Sequence, residues 1–381
     1  MCRSSVDTLA VSCGVAVPSG MGTDTTPTSA ERRLPPIVRA PVPVLLDTSS
    51  TAAPTSLRAP VLADLLPAAV VRLATTQHGL LTSSQLAMCG VSVAVAKRRV
   101  LTGRWRRPTR GVYDVASSSP LQLRPDARHR RAAALALLAF GGRATAVGFS
   151  ALACHGVWGL PVHSPEVTCG SARSDRDGLR CREVSLTRSP VQVGAFRCAH
   201  PVDALAQALP RCSPRTALGM LDSALHRQVV TEEEVAEVRA LLVGRRGAAG
   251  LAVVWALVDG RRESPLESWA YYDLDAAGLR PTDIQVRIVD ASGVLVARGD
   301  IGFRLPDGSW LIVELNGREY HGVAVRDDTR RNAVVATERA RVLDYWAEHL
   351  GVGGTMVRQV RDVLDRAGAW SAPVSERRRA G

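Results

Sequence analysis

Hydrophobic and polar positions along this chain change period several times, and each change marks a different kind of element. Apolar residues at helical spacing from Leu65 to Gln77 predict a first helix. Thr82-Ser83-Ser84-Gln85 then reads as a capping box opening a second helix, and Cys89-Gly90 as the turn that ends it. Ser92 can cap a third helix over Val93 to Thr102, and the Gly-bounded run Gly103 to Val115 follows as a basic hairpin. Further on, helices are predicted over Asp126 to Phe140, Pro201 to Ala208, Pro214 to Arg227 and Glu232 to Leu242. Short strand-like runs stand among them at Pro165 to Cys169 and Val184 to Thr187. The last stretch reads helix (Pro265 to Ala277), strands (Ile284 to Val289, Val294 to Arg304, Trp310 to Leu315), then helices (Asp327 to Ala340, Met356 to Ala367).

This order predicts a multi-domain α/β protein. Residues 1–62, rich in Pro, Thr, Ser and Ala without period, have the composition of a disordered leader. Residues 63–118 show the helix, helix, helix, hairpin order of a winged helix-turn-helix. Residues 119–250 form an α+β middle region, residues 251–370 an α/β domain with a central mixed sheet, and residues 371–381 a basic tail. The apolar patch from Leu9 to Val17 is short and interrupted by Ser12, Cys13 and Gly14, so no membrane segment is predicted. Eight cysteines without a C-x-x-C pair suggest neither a zinc site nor a disulfide framework, and a reducing cytoplasm is expected.

Charge sharpens the picture at the third helix and hairpin. The chain carries a net +12, with Lys97 its only lysine. Residues 63–118 hold eight basic residues against two acids, and seven of the eight are Lys97, Arg98, Arg99, Arg104, Arg106, Arg107 and Arg110. Basic side chains concentrated on the elements that enter a groove and touch backbone favour DNA as partner. The competing reading is a small structural domain whose arginines face water.

Candidate chemistry lies in the last domain. Pro306-Asp307-Gly308 predicts a three-residue hairpin loop, which pairs Leu305 with Ser309 and sets Asp300 opposite Glu314 on one face, Cβ atoms roughly 5 Å apart. Opposed like charges are destabilising unless a cation sits between them, and Mg²⁺, which takes one or two carboxylates and keeps its waters, would supply it. Glu267 offers a third carboxylate. In Ser264-Pro265-Leu266-Glu267, however, it is equally the third position of a capping box, and the two roles do not exclude each other.

Ser264-Pro-Leu-Glu267, Gln285, Asp300, Glu314-x-Asn316-Gly317, His321 and Asp327-Asp-x-Arg330-Arg331 resemble the PD-(D/E)XK nuclease superfamily, in the bacterial branch allied to very-short-patch-repair endonucleases. Gln77-His78-Gly79, Arg104-Trp-Arg-Arg107 and Gly111-Val-Tyr113 are similar to the N-terminal domain of AbiEi-type antitoxins. The first resemblance implies a restriction-endonuclease-like fold, Mg²⁺ on Asp300 and Glu314 with help from Glu267, and phosphodiester hydrolysis by an activated water. Gln285, His321 and Arg331 would orient water or stabilise charge on the phosphate. The superfamily's usual lysine is replaced by Asn316, which leaves two expectations open: a DNA endonuclease, or an antitoxin-like regulator with a cognate toxin and a degenerate nuclease fold. The segment 264–367 has 13 basic and 16 acidic residues, so grip on DNA is expected from the winged helix.

Overall fold

Three sheets, each drawn from a different stretch of chain, organise the computed structural model, which describes residues 66–116, 119–170, 173–289, 293–317 and 340–369. The chain is mixed α/β, and no helix among the described residues is long and apolar enough to cross a membrane. The predicted leader and the basic tail lie outside the described residues, as do His321, Arg331 and the helix drawn over Asp327 to Ala340 except for Ala340, which begins a strand.

The first stretch runs α1 (Ala68–Thr76), β1 (Leu80–Thr82), α2 (Ser83–Met88), α3 (Val93–Leu101), β2 (Arg106–Thr109) and β3 (Val112–Asp114). Helix α1 starts later than its apolar pattern because Pro67 stands at its N-cap. The capping box of α2 forms as predicted: Thr82 Oγ1 accepts from the Gln85 N–H, and Gln85 returns a bond to the Thr82 N–H. Ser92 caps α3 by accepting from the Val95 N–H. The hairpin gains a third strand that the sequence pattern did not reveal, since β1 pairs with β3 in the order β1-β3-β2. Trp105 and Tyr113 close a small core against Val70, Leu81 and Leu86.

Next come α4 (Pro125–Phe140), β4 (Thr145–Ala146), α5 (Gly148–Cys154), β5 (Glu166–Thr168), β6 (Arg180–Cys181), β7 (Val191–Val193) and β8 (Phe196–Cys198). Helices α4 and α5 lie against the sheet β6-β5-β4-β8-β7, and helices α6 (Pro201–Ala208), α7 (Pro214–His226) and α8 (Glu232–Leu241) extend the same hydrophobic core. The run Val184 to Thr187 is not a strand. Its end is claimed by a side chain instead: the Asp203 carboxylate accepts from Thr187 N–H (3.1 Å), Thr187 Oγ1 (2.6 Å) and Arg188 N–H (3.0 Å). Those donors are spent before a neighbouring strand can use them.

The last stretch is α9 (Pro265–Ala276), β9 (Asp283–Val289), β10 (Leu295–Arg304), β11 (Trp310–Leu315), β12 (Ala340–Tyr345) and α10 (Thr355–Arg366). Its sheet has the order β12-β11-β10-β9, antiparallel except for the parallel pair β11–β12. Helix α9 also packs on α7, where a Cβ at Gly219 would lie 2.6 Å from Trp269 Nε1, so only glycine permits that approach. Helices α9 and α10 cover one sheet face (Ile301, Phe303, Leu311, Val313), while Val286, Ile288, Ala297 and Ile312 make a separate core on the other.

Candidate functional site

The hairpin β10–β11 sets the register of the site. Leu305 N–H donates to the Ser309 carbonyl at 2.9 Å, Gly308 takes φ +82°, and Asp307 accepts from Ser309 N–H at 2.9 Å. Pairing then runs from Arg304–Trp310 to Ile301–Val313, and one further step puts Asp300 across from Glu314. On its other side, the pairs Gly299–Val286 and Ile301–Ile284 bracket Asp300 opposite Gln285. Glu314 in turn pairs with Asp344 of β12. Gln285, Asp300, Glu314 and Asp344 therefore form one polar row across all four strands of the sheet.

That row marks a place where two strands turn over. Strict alternation would put Ile284 and Val286 on the same face, yet Ile284 belongs to the helix-covered core and Val286 to the opposite one. Between them Gln285 has φ +52°, a left-handed conformation that L-residues rarely adopt within a strand. Strand β10 switches at the same level, with Ala297 in one core and Ile301 in the other. Asp300 stands at the switch, and its Oδ2 accepts from the Leu315 N–H at 2.8 Å.

Glu267 reaches the row from the first turn of α9. Ser264 Oγ accepts from the Glu267 N–H and donates to Glu267 Oε1 (2.8 Å), while Oε2 accepts from Glu263 N–H (3.0 Å) and Gln285 Nε2 (2.7 Å). Ser264 thus caps α9, but Glu267 takes the N–H of Glu263 and not that of Ser264 as the anticipated capping box required, and Gln285 ties this cap to the row. Burial pushes the Glu267 carboxyl above the usual range. Asp300 is raised much further, first by burial, then by the negative charges of Glu267 and Glu314, against the lowering effect of the Leu315 N–H. Asp300 thus feels the negative charge of both glutamates.

Gln285 spends only its amide nitrogen on Glu267, and its Oε1 is buried with no hydrogen-bond partner among the described residues. A buried acceptor left unpaired calls for a donor such as water. Among the described residues no three His, Cys, Asp or Glu side chains converge to hold a metal by themselves. Mg²⁺ does not require three, since one or two carboxylates and retained waters suffice. Repelling carboxylates beside an orphaned amide oxygen fit such an ion, and Asp300 and Glu314 are the residues that could hold it.

Asn316 is drawn toward the far end of the row. Its N–H donates to the Tyr345 carbonyl at 2.8 Å, and its Nδ2 lies 3.5 Å from Asp344 Oδ1. Asp344 escaped the sequence reading because β12 did. The signal was the short run Ala340-Arg341-Val342-Leu343-Asp344-Tyr345, hidden against the helical pattern drawn up to Ala340.

The seven basic residues of α3 and the hairpin divide by engagement. Lys97, Arg98, Arg104, Arg107 and Arg110 are exposed. Arg99 is partly buried, its guanidinium 5.2 Å from the centre of the Trp105 ring, and Arg106 pairs with Asp114 at 3.2 Å. Exposed Val93, Ala94 and Val95 lie at the start of the same helix. Compared with protein-family models, with curated proteins and with solved structures, the chain matches none of them.

Proposed function

We propose that the chain is a DNA-binding protein whose C-terminal sheet is a Mg²⁺-dependent endonuclease centre of the PD-(D/E)XK kind, with α1 to β3 acting as a winged helix that holds the duplex. The observation that carries this reading is Asp300, buried at a strand switch between Glu267 and Glu314 so that its proton is held unusually tightly. A site that concentrates negative charge without a lysine is built for a cation from solution. When bound, Mg²⁺ supplies the charge that lets the carboxylates ionise together and the Lewis acidity that turns water into a nucleophile toward a phosphodiester. Asp300 and Glu314 hold it. Glu267, fixed by three donors, keeps Gln285 in place, and Gln285 Oε1 accepts a hydrogen bond from water and so orients it. The exposed Lys97, Arg98, Arg104, Arg107 and Arg110 neutralise phosphates.

The test is cleavage of supercoiled plasmid in Mg²⁺ by the full chain and by Asp300→Ala and Glu314→Ala, each checked for folding by circular dichroism. Cutting by the parent and none by either variant is expected; Mg²⁺-dependent cutting by Asp300→Ala would refute the assignment. A second reading has one observation in its favour: Asn316, where the superfamily carries lysine, is turned to Asp344. It makes the chain an AbiEi-like transcriptional regulator, with a cognate toxin, on a nuclease scaffold that no longer cuts. Shifts of its own promoter DNA, with no cleavage under any divalent ion, would decide for it.

A further inference from the structure

Between the hairpin β2–β3 and helix α4 lies a cavity of about 350 Å³. Its floor is apolar: Leu80 is buried, Ala132 and Leu135 are half-buried, and Leu121 stands at the edge 81% exposed. Its rim is cationic. Arg106 and Arg131 line it, but both are committed to the buried Asp114, at 3.2 and 2.6 Å. Arg107 and Arg128 are different, for both are exposed and neither carries an ion pair among the described residues. Arg107 has only the face of Tyr113, 6.0 Å away.

An apolar hollow of this size, edged by two uncommitted guanidinium groups, selects its ligand from both ends. An inorganic anion would satisfy the arginines and leave the floor wet. A neutral hydrocarbon would fill the floor and leave both charges without a partner. We propose that this cavity binds a small amphipathic organic anion, a carboxylate or sulfonate on an alkyl or aryl body, with its head between Arg107 and Arg128 and its body over Leu80, Ala132 and Leu135. The site has a consequence for the hairpin. Arg107 is one of the side chains assigned to DNA, so an occupied cavity withdraws it from phosphate. That consequence rests on the proposed DNA-binding role, whereas the site does not.

The full chain is titrated by calorimetry with sodium octanoate and, in parallel, with octanol. Saturable one-to-one binding of octanoate is expected. Arg128→Glu, an exposed substitution, weakens it at least about tenfold, the worth of one charge-assisted hydrogen bond. Reversal at the exposed Arg239, on helix α8 and outside the cavity lining, leaves octanoate binding unchanged. Absence of saturable binding, equal affinity for octanol, or an equal loss in Arg239→Glu would each overturn the proposal. The DNA arm is read separately by mobility shift: octanoate weakens binding by the parent and not by Arg128→Glu. Octanoate bound without effect on a DNA complex would refute the coupling, and absence of any DNA complex would refute the DNA-binding role while leaving the cavity standing.

Discussion

Replacing Asp300 by Asn removes a charge and keeps the shape, so it asks directly whether the carboxylates repel. The Leu315 N–H bond to Oδ2, 2.8 Å long, survives on the Asn oxygen but loses its charge assistance, a cost of about 1 kcal/mol. Against that stands repulsion. Charges at the spacing of a cross-strand pair, roughly 5 Å, repel by about 3 kcal/mol at an effective dielectric constant near 20. Asp300 can escape by holding its proton. From its ordinary value of 3.8 up to neutral pH, retention at about 1.4 kcal/mol per unit caps the penalty near 4 kcal/mol. The expected net result is that Asp300→Asn is more stable than the parent by about 1–3 kcal/mol near pH 7 without divalent ions. The sign with pH follows from linkage. A carboxyl raised in the folded state favours folding below its unfolded value and loses that contribution as pH rises toward the folded one. The variant's advantage therefore vanishes near pH 4 and grows toward neutrality. Urea unfolding followed by circular dichroism, with chelator and then with Mg²⁺, measures both effects. Mg²⁺ should stabilise the parent and do little for the variant. A variant less stable than the parent in chelator at neutral pH, or equally stabilised by Mg²⁺, would show that Asp300 is only a support for the Leu315 backbone.

Other substitutions probe the frame around the two sites. Arg131→Met strands the buried Asp114 and should cost about 3–5 kcal/mol in urea unfolding, whereas Arg106→Met, whose guanidinium is half-exposed, should cost under about 1 kcal/mol. Gly299→Ala drives a Cβ into Ile312 Cγ2 at the strand switch and should destabilise by about 1–3 kcal/mol, with loss of Mg²⁺ stabilisation as Asp300 is displaced. His129 stacks on His163 at 5.1 Å and its imidazole is lowered to about 4, chiefly by burial and the His163 charge. Stability it lends above pH 6.5 is lost as pH falls toward 4, so His129→Phe should flatten acid unfolding by up to about 3 kcal/mol over that window.

The hairpin was legible because turn chemistry is local. Pro306-Asp307-Gly308 fixes the loop, and the period of two carries the register from Leu305 to Asp300 without reference to the rest of the fold. Helix starts were legible for the same reason, at Thr82, Ser92 and Ser264. What depends on contact across the chain was not. Helix α5, Gly148 to Cys154, is a short apolar run with no polar face, since it is buried almost all round. Gly148 at its start, φ +49°, must be glycine because a Cβ there would meet the Glu166 carboxylate, a residue on a strand well ahead in sequence. The run to Thr187 looked like a strand until Asp203 took its donors. At the row itself, Gln285 was visible as a residue type, but its left-handed backbone, at the level where its partner β10 also changes face, was not.

The missing lysine changes what the row demands. Glu267, Asp300, Glu314 and Asp344 gather around one level of the sheet, no lysine occurs after position 97, and Arg298 is engaged with Glu263 at 2.7 Å. A lysine at 316 would have brought a permanent positive charge; Asn316 brings only an amide, and places it near Asp344. Compensation must then come from solution, as a proton on Asp300 or as a divalent cation, and the two compete for the same carboxylate. On the proposed reading, binding of Mg²⁺ has to release the proton that burial and the two glutamates hold in place. Affinity for the metal therefore rises with pH through the range in which Asp300 gives up its proton, and removing either glutamate's charge lowers the pH at which that range begins.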